Sequence, residues 1–359
     1  RMTIMPNPEA ATDRTCGEES PGYVRLSLAA AMTLGFAKGL FYRNARLGCI
    51  NLLLTYSDGC KANCAFCGLA AERERKTAGG SFIRVPWRTF PTDSVIAAIE
   101  TAPDHVGRVC ISMITHPRCR RDVLDICRSI GLQTGISVSL LISPSVLLRD
   151  DLQAMKDAGA DRIGVAIDGA TKEIFDRYRG KPVGGPHDWK RYWNVYEESL
   201  RVFGEGMAGV HLICGLGETE QEMVSAMYRA RDMGGCTHLF SFFPEAGSAM
   251  EHHSPPPMGS YRRIQLARWL IDTDKARIRD MEFDGSGRIR GFGVPREDIE
   301  KAVASGEPFE TSGCPGPDGK VACNRPYGNE KPGPGIRNFP FPPEEEDIAR
   351  VRHDLEDYG

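Results

Sequence analysis

From Gly48 to about residue 250 the chain alternates between two textures. Short apolar runs at residues 50–55, 108–114, 136–142, 162–167, 209–213 and 238–243 predict six strands. Between them, helical periodicity runs near residues 94–101, 121–130, 147–158, 172–178 with 189–203, and 220–233. Strands and helices taking turns predict a parallel sheet with right-handed crossovers, either an open doubly wound sheet or a full or partial barrel. Periodicity does not choose between these two. In both, functional groups gather at the carboxyl ends of the strands.

The flanks read differently. Residues 1–20 predict a loose tail, and residues 26–34 (LSLAAAMTL) a short helix rich in Ala and Leu. A further helix is expected at 261–272 and a closing amphipathic helix at 344–358, whereas Gly and Pro are too dense at 311–343 for regular structure. The expected organisation is an N-terminal extension (1–49), a core (50–250) and a C-terminal extension (251–359), with no internal repeat.

Composition narrows the class. Hydrophobic residues at 41% and charged residues at 26% of 359 are those of a globular chain. No apolar run reaches the roughly 18–20 residues of a membrane span, and residues 1–20 lack the apolar stretch of a secretory signal, so a cytoplasmic location is expected. A net charge of −3 without a basic block gives no footprint for nucleic acid. The charge runs at 72–76 (ERERK) and 344–347 (EEED) are expected to be solvated helix faces.

Twelve cysteines is an unusual number, and their spacing carries the chemistry. Directly after the first predicted strand, Cys60, Cys64 and Cys67 form a C-x3-C-x2-C loop. Three thiolates on one tight loop can hold three irons of a cubane cluster and leave the fourth open for chemistry. The alternative is a zinc knuckle with a borrowed ligand. Structural zinc sites commonly pair two C-x2-C halves, and no second half of that spacing exists.

This loop, placed after the first strand of a parallel α/β array and with Phe66 just before its last cysteine, resembles the radical S-adenosylmethionine (SAM) superfamily. The resemblance implies a partial or full (β/α) TIM-like barrel, a 4Fe-4S cluster on Cys60, Cys64 and Cys67, and SAM chelated to the open iron. Reductive cleavage of SAM then gives methionine and a 5′-deoxyadenosyl radical. It further implies SAM contacts strand by strand. Ser112 and Thr115, in SMITHP after the second strand, stand where the family meets the amino group, although its usual Gly-Gly-Glu is absent. Asp168 would accept from the ribose, and Arg177 or Arg179 would reach the carboxylate, a helix-surface salt bridge being the alternative for either arginine. Ile213 and Gly215, in VHLICGLGE, resemble the family's adenine-contacting G-x-I-x-G segment; the alternative is a strand-to-helix turn with Glu218 near a helix N-terminus. Phe243, in FFPEAGS, matches a loop that closes over adenine.

Of the other cysteines, Cys119, Cys127 and Cys236 fall in predicted helices or helix ends and read as packing residues, while Cys16 in the tail has no assignment. Cys314 and Cys323 are joined by a Gly/Pro-rich loop (SGCPGPDGKVACNRPYGNE) whose backbone can wrap a second iron–sulfur cluster closely. That tail, with SLAAAMT (27–33), CINLLLTY (49–56) and CISMITHP (110–117), resembles one subunit of the archaeal-type two-component lipoyl synthase, a group often labelled biotin synthases.

This second resemblance implies an auxiliary 4Fe-4S cluster consumed as sulfur donor and an octanoylated lipoyl carrier protein or domain as substrate. It also implies a second radical SAM lipoyl synthase subunit as partner and a C-terminal extension that caps the barrel mouth. Cys49, Cys314 and Cys323 would hold the auxiliary cluster, with Ser312 as fourth ligand and Cys110 in reserve; the alternative for Cys49 is core packing at a strand start. A biotin synthase would draw ligands from inner strands two, three and five plus an arginine. Cys110 fits strand two, but strand three has no thiol and Cys214 lies in the wrong part of strand five. A radical SAM enzyme of methylthiolation or cofactor maturation and a non-enzymatic iron–sulfur scaffold remain as alternatives.

Overall fold

The computed structural model describes residues 17–73, 81–327 and 330–359. Cys16, most of the expected tail, the second half of the first charge run, and Gly328 with Asn329 lie outside the described residues. The chain opens with β1 (Tyr23–Ser27), α1 (Leu28–Thr33), β2 (Cys49–Leu53), the hairpin of β3 (Ser81–Phe82) and β4 (Val85–Pro91), and α2 (Thr92–Glu100). Then come β5 (Arg108–Ser112), α3 (Cys119–Thr134), β6 (Ser137–Ile142), α4 (Asp151–Asp157) and β7 (Ala160–Asp168). After α5 (Lys172–Arg179) and α6 (Trp189–Phe203) follow β8 (Ala208–Cys214), α7 (Glu220–Asp232) and β9 (Cys236–Ser241). The C-terminal part holds α8 (Met258–Asp272), β10 (Glu282–Phe283), β11 (Ile289–Gly291), α9 (Arg296–Ser305) and α10 (Glu345–Glu356).

One nine-stranded sheet runs in the order β3-β4-β1-β2-β5-β6-β7-β8-β9. Strands β2, β5, β6, β7, β8 and β9 are mutually parallel and neighbours in that order, so the six predicted strands are six staves of a (β/α) barrel. The antiparallel strands β1 and β4 extend the sheet beyond β2. Local signals place the helices: the Asp188 side chain accepts from Arg191 N at the start of α6, and Thr219 and Glu222 form a reciprocal capping box on α7.

The barrel is partial, and the C-terminal extension fills its open seam. Ser312 meets β9, where Leu239 N donates to its hydroxyl at 2.8 Å. Eleven residues on, Cys323 meets β2, where Asn51 Nδ2 lies 3.8 Å from its Sγ. The Cys314–Cys323 loop is folded back on itself by Cys323 N donating to Cys314 O at 3.1 Å. One short loop therefore touches both the first and the last parallel strand, which requires the sheet to curl nearly closed. The loop seats against the amino ends of the staves. A Cβ on Gly48 would stand 2.6 Å from Ala322 O and one on Gly107 2.8 Å from Pro317 Cδ, and Arg108 Nε donates to Pro315 O at 2.7 Å. The extension thus closes the seam and floor, where the unpaired edge of β9 and the start of β2 offer backbone and packing partners, and its Arg337 reaches the loop after β9 by lying over the Phe243 ring.

Several local expectations are corrected. The first two residues of LSLAAAMTL are strand, because Leu26 belongs to β1 and pairs with both β2 and β4; only Leu28–Thr33 is helical, capped by Ser27 Oγ. The end of the expected loose tail is docked: Ser20 is fully buried and its N donates to Thr55 O. Neither described charge run is wholly solvated. Arg73 is buried beside Glu245 (3.1 Å), and Asp347 is buried under Arg43 (2.6 Å). Cys236 begins a strand, whereas Cys119 and Cys127 are fully buried helix residues.

Among the described residues, one hydrophobic cluster runs from Val24 through the barrel to Val351. Helix α8 is its outer anchor, carrying Arg263 in a buried pair with Glu220 of α7 (2.7 Å). No helix of the described residues is long and apolar enough to cross a membrane.

Candidate active site

Inside the barrel lies a cavity of about 290 Å³. At the carboxyl ends of the staves its wall is the loop after β2, with Cys60, Cys64 and Cys67 all facing the cavity. Neighbouring strands and helices set this loop: Lys61 N donates to Thr115 O at 2.7 Å, and Ala65 N to Tyr178 O at 2.8 Å. Backbone N–H groups already point at two of the sulfurs, Ala62 N at Cys60 (3.4 Å) and Leu69 N at Cys67 (3.3 Å). Such donors favour thiolate. Burial pushes the Cys64 and Cys67 thiols up from their ordinary value, with Arg179 opposing this at Cys64, so these are groups that bound iron would have to deprotonate.

Across from this loop, Asp168 ends β7 with a left-handed φ of 62°, a conformation Asp tolerates better than most residues. Its carboxylate pairs with Arg179 at 3.3 Å. Burial pushes the Asp168 carboxyl up, and Arg179 offsets part of that. Arg179 is buried too, donating to Ala166 O and Ile167 O and lying over the Phe175 and Tyr192 rings, so the helix-surface alternative does not hold for it. Arg177 is exposed and stands apart from the cavity wall.

Ser112, Thr115, Ile213 and Phe243 line the cavity; the Thr115 hydroxyl meets Ser143 Oγ at 2.9 Å. Gly215 does not line it. Its φ of 105° and the closeness of Pro256, 2.6 Å from where a Cβ would stand, require glycine for the turn, and Glu218 accepts from Gly215 N (2.6 Å) and Leu216 N (2.9 Å). At Gly215 the strand-to-helix turn is the structural role.

The amino-terminal end of the same cavity is lined by Cys110, Cys314 and Cys323, with Cys49 fully buried beside Cys323. Asn51 Nδ2 reaches both Cys49 Sγ (3.9 Å) and Cys323 Sγ (3.8 Å), and Cys314 Sγ lies 3.8 Å from His238 Nε2. The neighbouring Cys49 thiol and the Arg325 guanidinium hold Cys323 down at about 6, whereas burial pushes Cys49 well up and Cys314 up to about 11. Ser312 is buried but outside the cavity wall, its hydroxyl committed to β9. Among the described residues no three potential ligands converge on a point suited to a single metal ion. A multi-iron cluster distributes its thiolates over several metal atoms around a space, and each cysteine group borders its own end of the cavity.

The middle of the cavity is largely apolar, walled by Leu53, Phe82, Ile83, Val85 and Trp87 on one side and by Leu141 and Ile213 on other strands. The β3-β4 hairpin was not legible in the sequence, since its residues mix Pro, Arg and Thr with the apolar ones. His187 and Tyr192 were also missed, and burial with Arg179 nearby pushes the His187 imidazole down to about 2. No sequence motif marks either residue.

A thiol loop at the carboxyl end of a partial (β/α) barrel is consistent with the radical SAM fold. Residues 54–229, just under half of the chain, match the family model described as the Radical SAM superfamily. That family implies a 4Fe-4S cluster and SAM, which the donor set of Cys60, Cys64 and Cys67 fits. Among curated proteins, the chain is 30% identical over 124 residues to the AdoMet-dependent heme synthase of Methanosarcina barkeri, covering 34% of this chain and 32% of that protein. It is 25% identical over 236 residues to the biotin synthase of Staphylococcus aureus, covering 64% of this chain and 65% of that protein. The matches thus span less than two thirds of these relatives. Among solved structures, the FeFe-hydrogenase maturase HydG from Carboxydothermus hydrogenoformans aligns over 63% of this chain and 52% of that one, with a TM-score of 0.49 and 14% identity.

Proposed function

We propose that the protein inserts sulfur into the octanoyl chain of a lipoyl carrier protein or domain, as one subunit of a two-component lipoyl synthase acting with a second radical SAM subunit. The observation that carries this reading is that two cysteine groups, one on the loop after β2 and one at the barrel floor, line a single apolar-walled cavity. When bound, the cluster and SAM supply a 5′-deoxyadenosyl radical able to take hydrogen from an unactivated carbon. An auxiliary cluster on the floor cysteines supplies sulfur.

The chain's own residues have defined parts in this reading. Asp168 accepts from the SAM ribose, and Arg179 holds that carboxylate in place. The Leu53, Val85 and Trp87 wall takes the aliphatic chain by excluding water, which also withholds competing hydrogen donors from a radical. The test is mass spectrometry of an octanoyl-lysine peptide after incubation with reduced, reconstituted protein, SAM and the second subunit. A gain of sulfur mass supports the reading; formation of 5′-deoxyadenosine with no thiolated product removes it.

Identity to biotin synthases over 64% of the chain favours a second reading, sulfur insertion into the biotin precursor. The inner face of the barrel weighs against it. The floor position on β6 is Ser139, the cavity-facing residues of β8 are His211 and Ile213, and Cys214 lies outside the cavity wall. Supplying the biotin precursor in place of the peptide separates the two. Methylthiolation and cofactor maturation predict neither product, and a scaffold predicts no 5′-deoxyadenosine.

A further inference from the structure

We infer that Cys49, Cys110, Cys314 and Cys323 are the complete ligand set of the auxiliary cluster, four thiolates and no hydroxyl. This rests on the second-cluster reading above and refines it. The resemblance to lipoyl synthases points to Ser312 as a ligand, but the fold gives Ser312 another task. Its oxygen accepts the Leu239 N–H at 2.8 Å, which fixes the extension to the edge of β9, and its side chain is no part of the cavity wall.

Cys110 takes the vacated place by register. In the parallel ladder Asn51 of β2 pairs with Cys110 of β5, and Cys110 with Ser139 of β6. Residues in register project to the same face of a sheet, and all three line the cavity. Cys49 is two residues before Asn51 on the same strand and shares that face. The seam loop brings the other two thiols, joined by Ala322 N and Cys323 N both donating to Cys314 O (3.0 and 3.1 Å).

Three separate elements therefore bring three cavity-lining sulfurs and, beside Cys323, the buried Cys49 sulfur to one end of the cavity. Asn51 Nδ2, within 4 Å of both Cys49 and Cys323, is placed to donate to sulfur, the kind of outer contact that orients and stabilises cluster thiolates.

The test starts from a variant in which Cys60, Cys64 and Cys67 are all Ala, leaving only the floor cysteines to bind iron. After anaerobic reconstitution it is expected to hold about four irons and four sulfides per chain, on the cubane assumption, with a reduced-state electron paramagnetic resonance signal. Adding Cys110→Ala is expected to cut the iron sharply, and adding Ser312→Ala to leave iron and spectrum unchanged. The reverse pattern, iron lost with Ser312→Ala and kept with Cys110→Ala, overturns the ligand set while sparing the second cluster.

A folded triple variant that binds no iron overturns both. Should the triple variant not fold, single changes in the otherwise intact chain decide. Cys110→Ala is expected to lower iron from about eight to about four per chain while 5′-deoxyadenosine formation continues, and Ser312→Ala to leave it near eight. Unchanged iron in Cys110→Ala overturns the inference.

Discussion

Arg179 Nη1 lies 3.3 Å from Asp168 Oδ2, a buried ion pair that ties the end of β7 to the last turn of α5. Removing the acid strands a buried guanidinium that keeps carbonyl, Tyr192 hydroxyl and ring contacts but no counter-charge. Asp168→Ala is therefore expected to destabilise the fold by about 3 kcal/mol, read by denaturant unfolding. Asp168→Asn retains an acceptor and tolerance of positive φ, so it is expected to fold and to lose about 1–3 kcal/mol of SAM binding by calorimetry. A folded Asn variant with unchanged SAM affinity would mean that the carboxylate serves Arg179 alone.

The loop cysteines make a sharper test. Replacing Cys64 with Ala removes one of the three proposed ligands, so iron content is expected to fall and 5′-deoxyadenosine formation to be abolished. Normal SAM cleavage by Cys64→Ala would end the assignment of this loop as the SAM-cluster site.

A Cys314→Ala/Cys323→Ala variant separates the two chemistries proposed for one cavity. The loop after β2 is untouched, so SAM cleavage is expected to persist with about half the iron of the reconstituted parent. No thiolated product is expected. Full iron together with thiolated product would remove the floor cysteines from the reaction.

Gly164 lies midway along β7 in the cavity wall, where a Cβ would stand 3.1 Å from His211 Nε2 and 3.2 Å from Leu141 Cδ1. Gly164→Val narrows the space between the two cysteine groups. Thiolation of the octanoyl peptide is expected to fall by about tenfold or more, equivalent to about 1.4 kcal/mol, with iron content unchanged. An undiminished rate would place the acyl chain elsewhere.

The N-terminal clasp gives a pH dependence. Hydrogen bonds from Ser57 and then from Arg118 hold the Glu19 carboxyl down at about 2, from an ordinary value of 4.5. Its folded-state value is depressed, so its contribution to stability is complete above pH 4.5 and is lost as pH falls toward 2. Unfolding of wild type and Glu19→Gln measured across that range is expected to converge at the acid end. A constant difference between them would exclude ionised Glu19 as the source of the clasp.

The sequence alone determined the six parallel strands, their helices and the C-x3-C-x2-C loop, because strand and helix periods and cysteine spacing are local properties that survive without knowledge of the fold. It did not determine the antiparallel β1 and β4. LSLAAAMTL favours helix by propensity, and only pairing with β2 and β4 draws Leu26 into a strand. Nor did it determine that Arg73 and Asp347 are buried, since charge runs read as solvated until partners such as Glu245 and Arg43 arrive from distant positions.

Cys314 and Cys323 announced a site by their loop, but the residues around them were set by tertiary structure. Cys49, Cys110 and Asn51 share one face of two strands, and Ser312, next but one to Cys314, is turned onto β9 by a single backbone hydrogen bond. Neighbours in sequence were separated and distant residues joined because the curled sheet left a seam with unpaired backbone groups, and only the closing of that seam decided which side chains face the cavity.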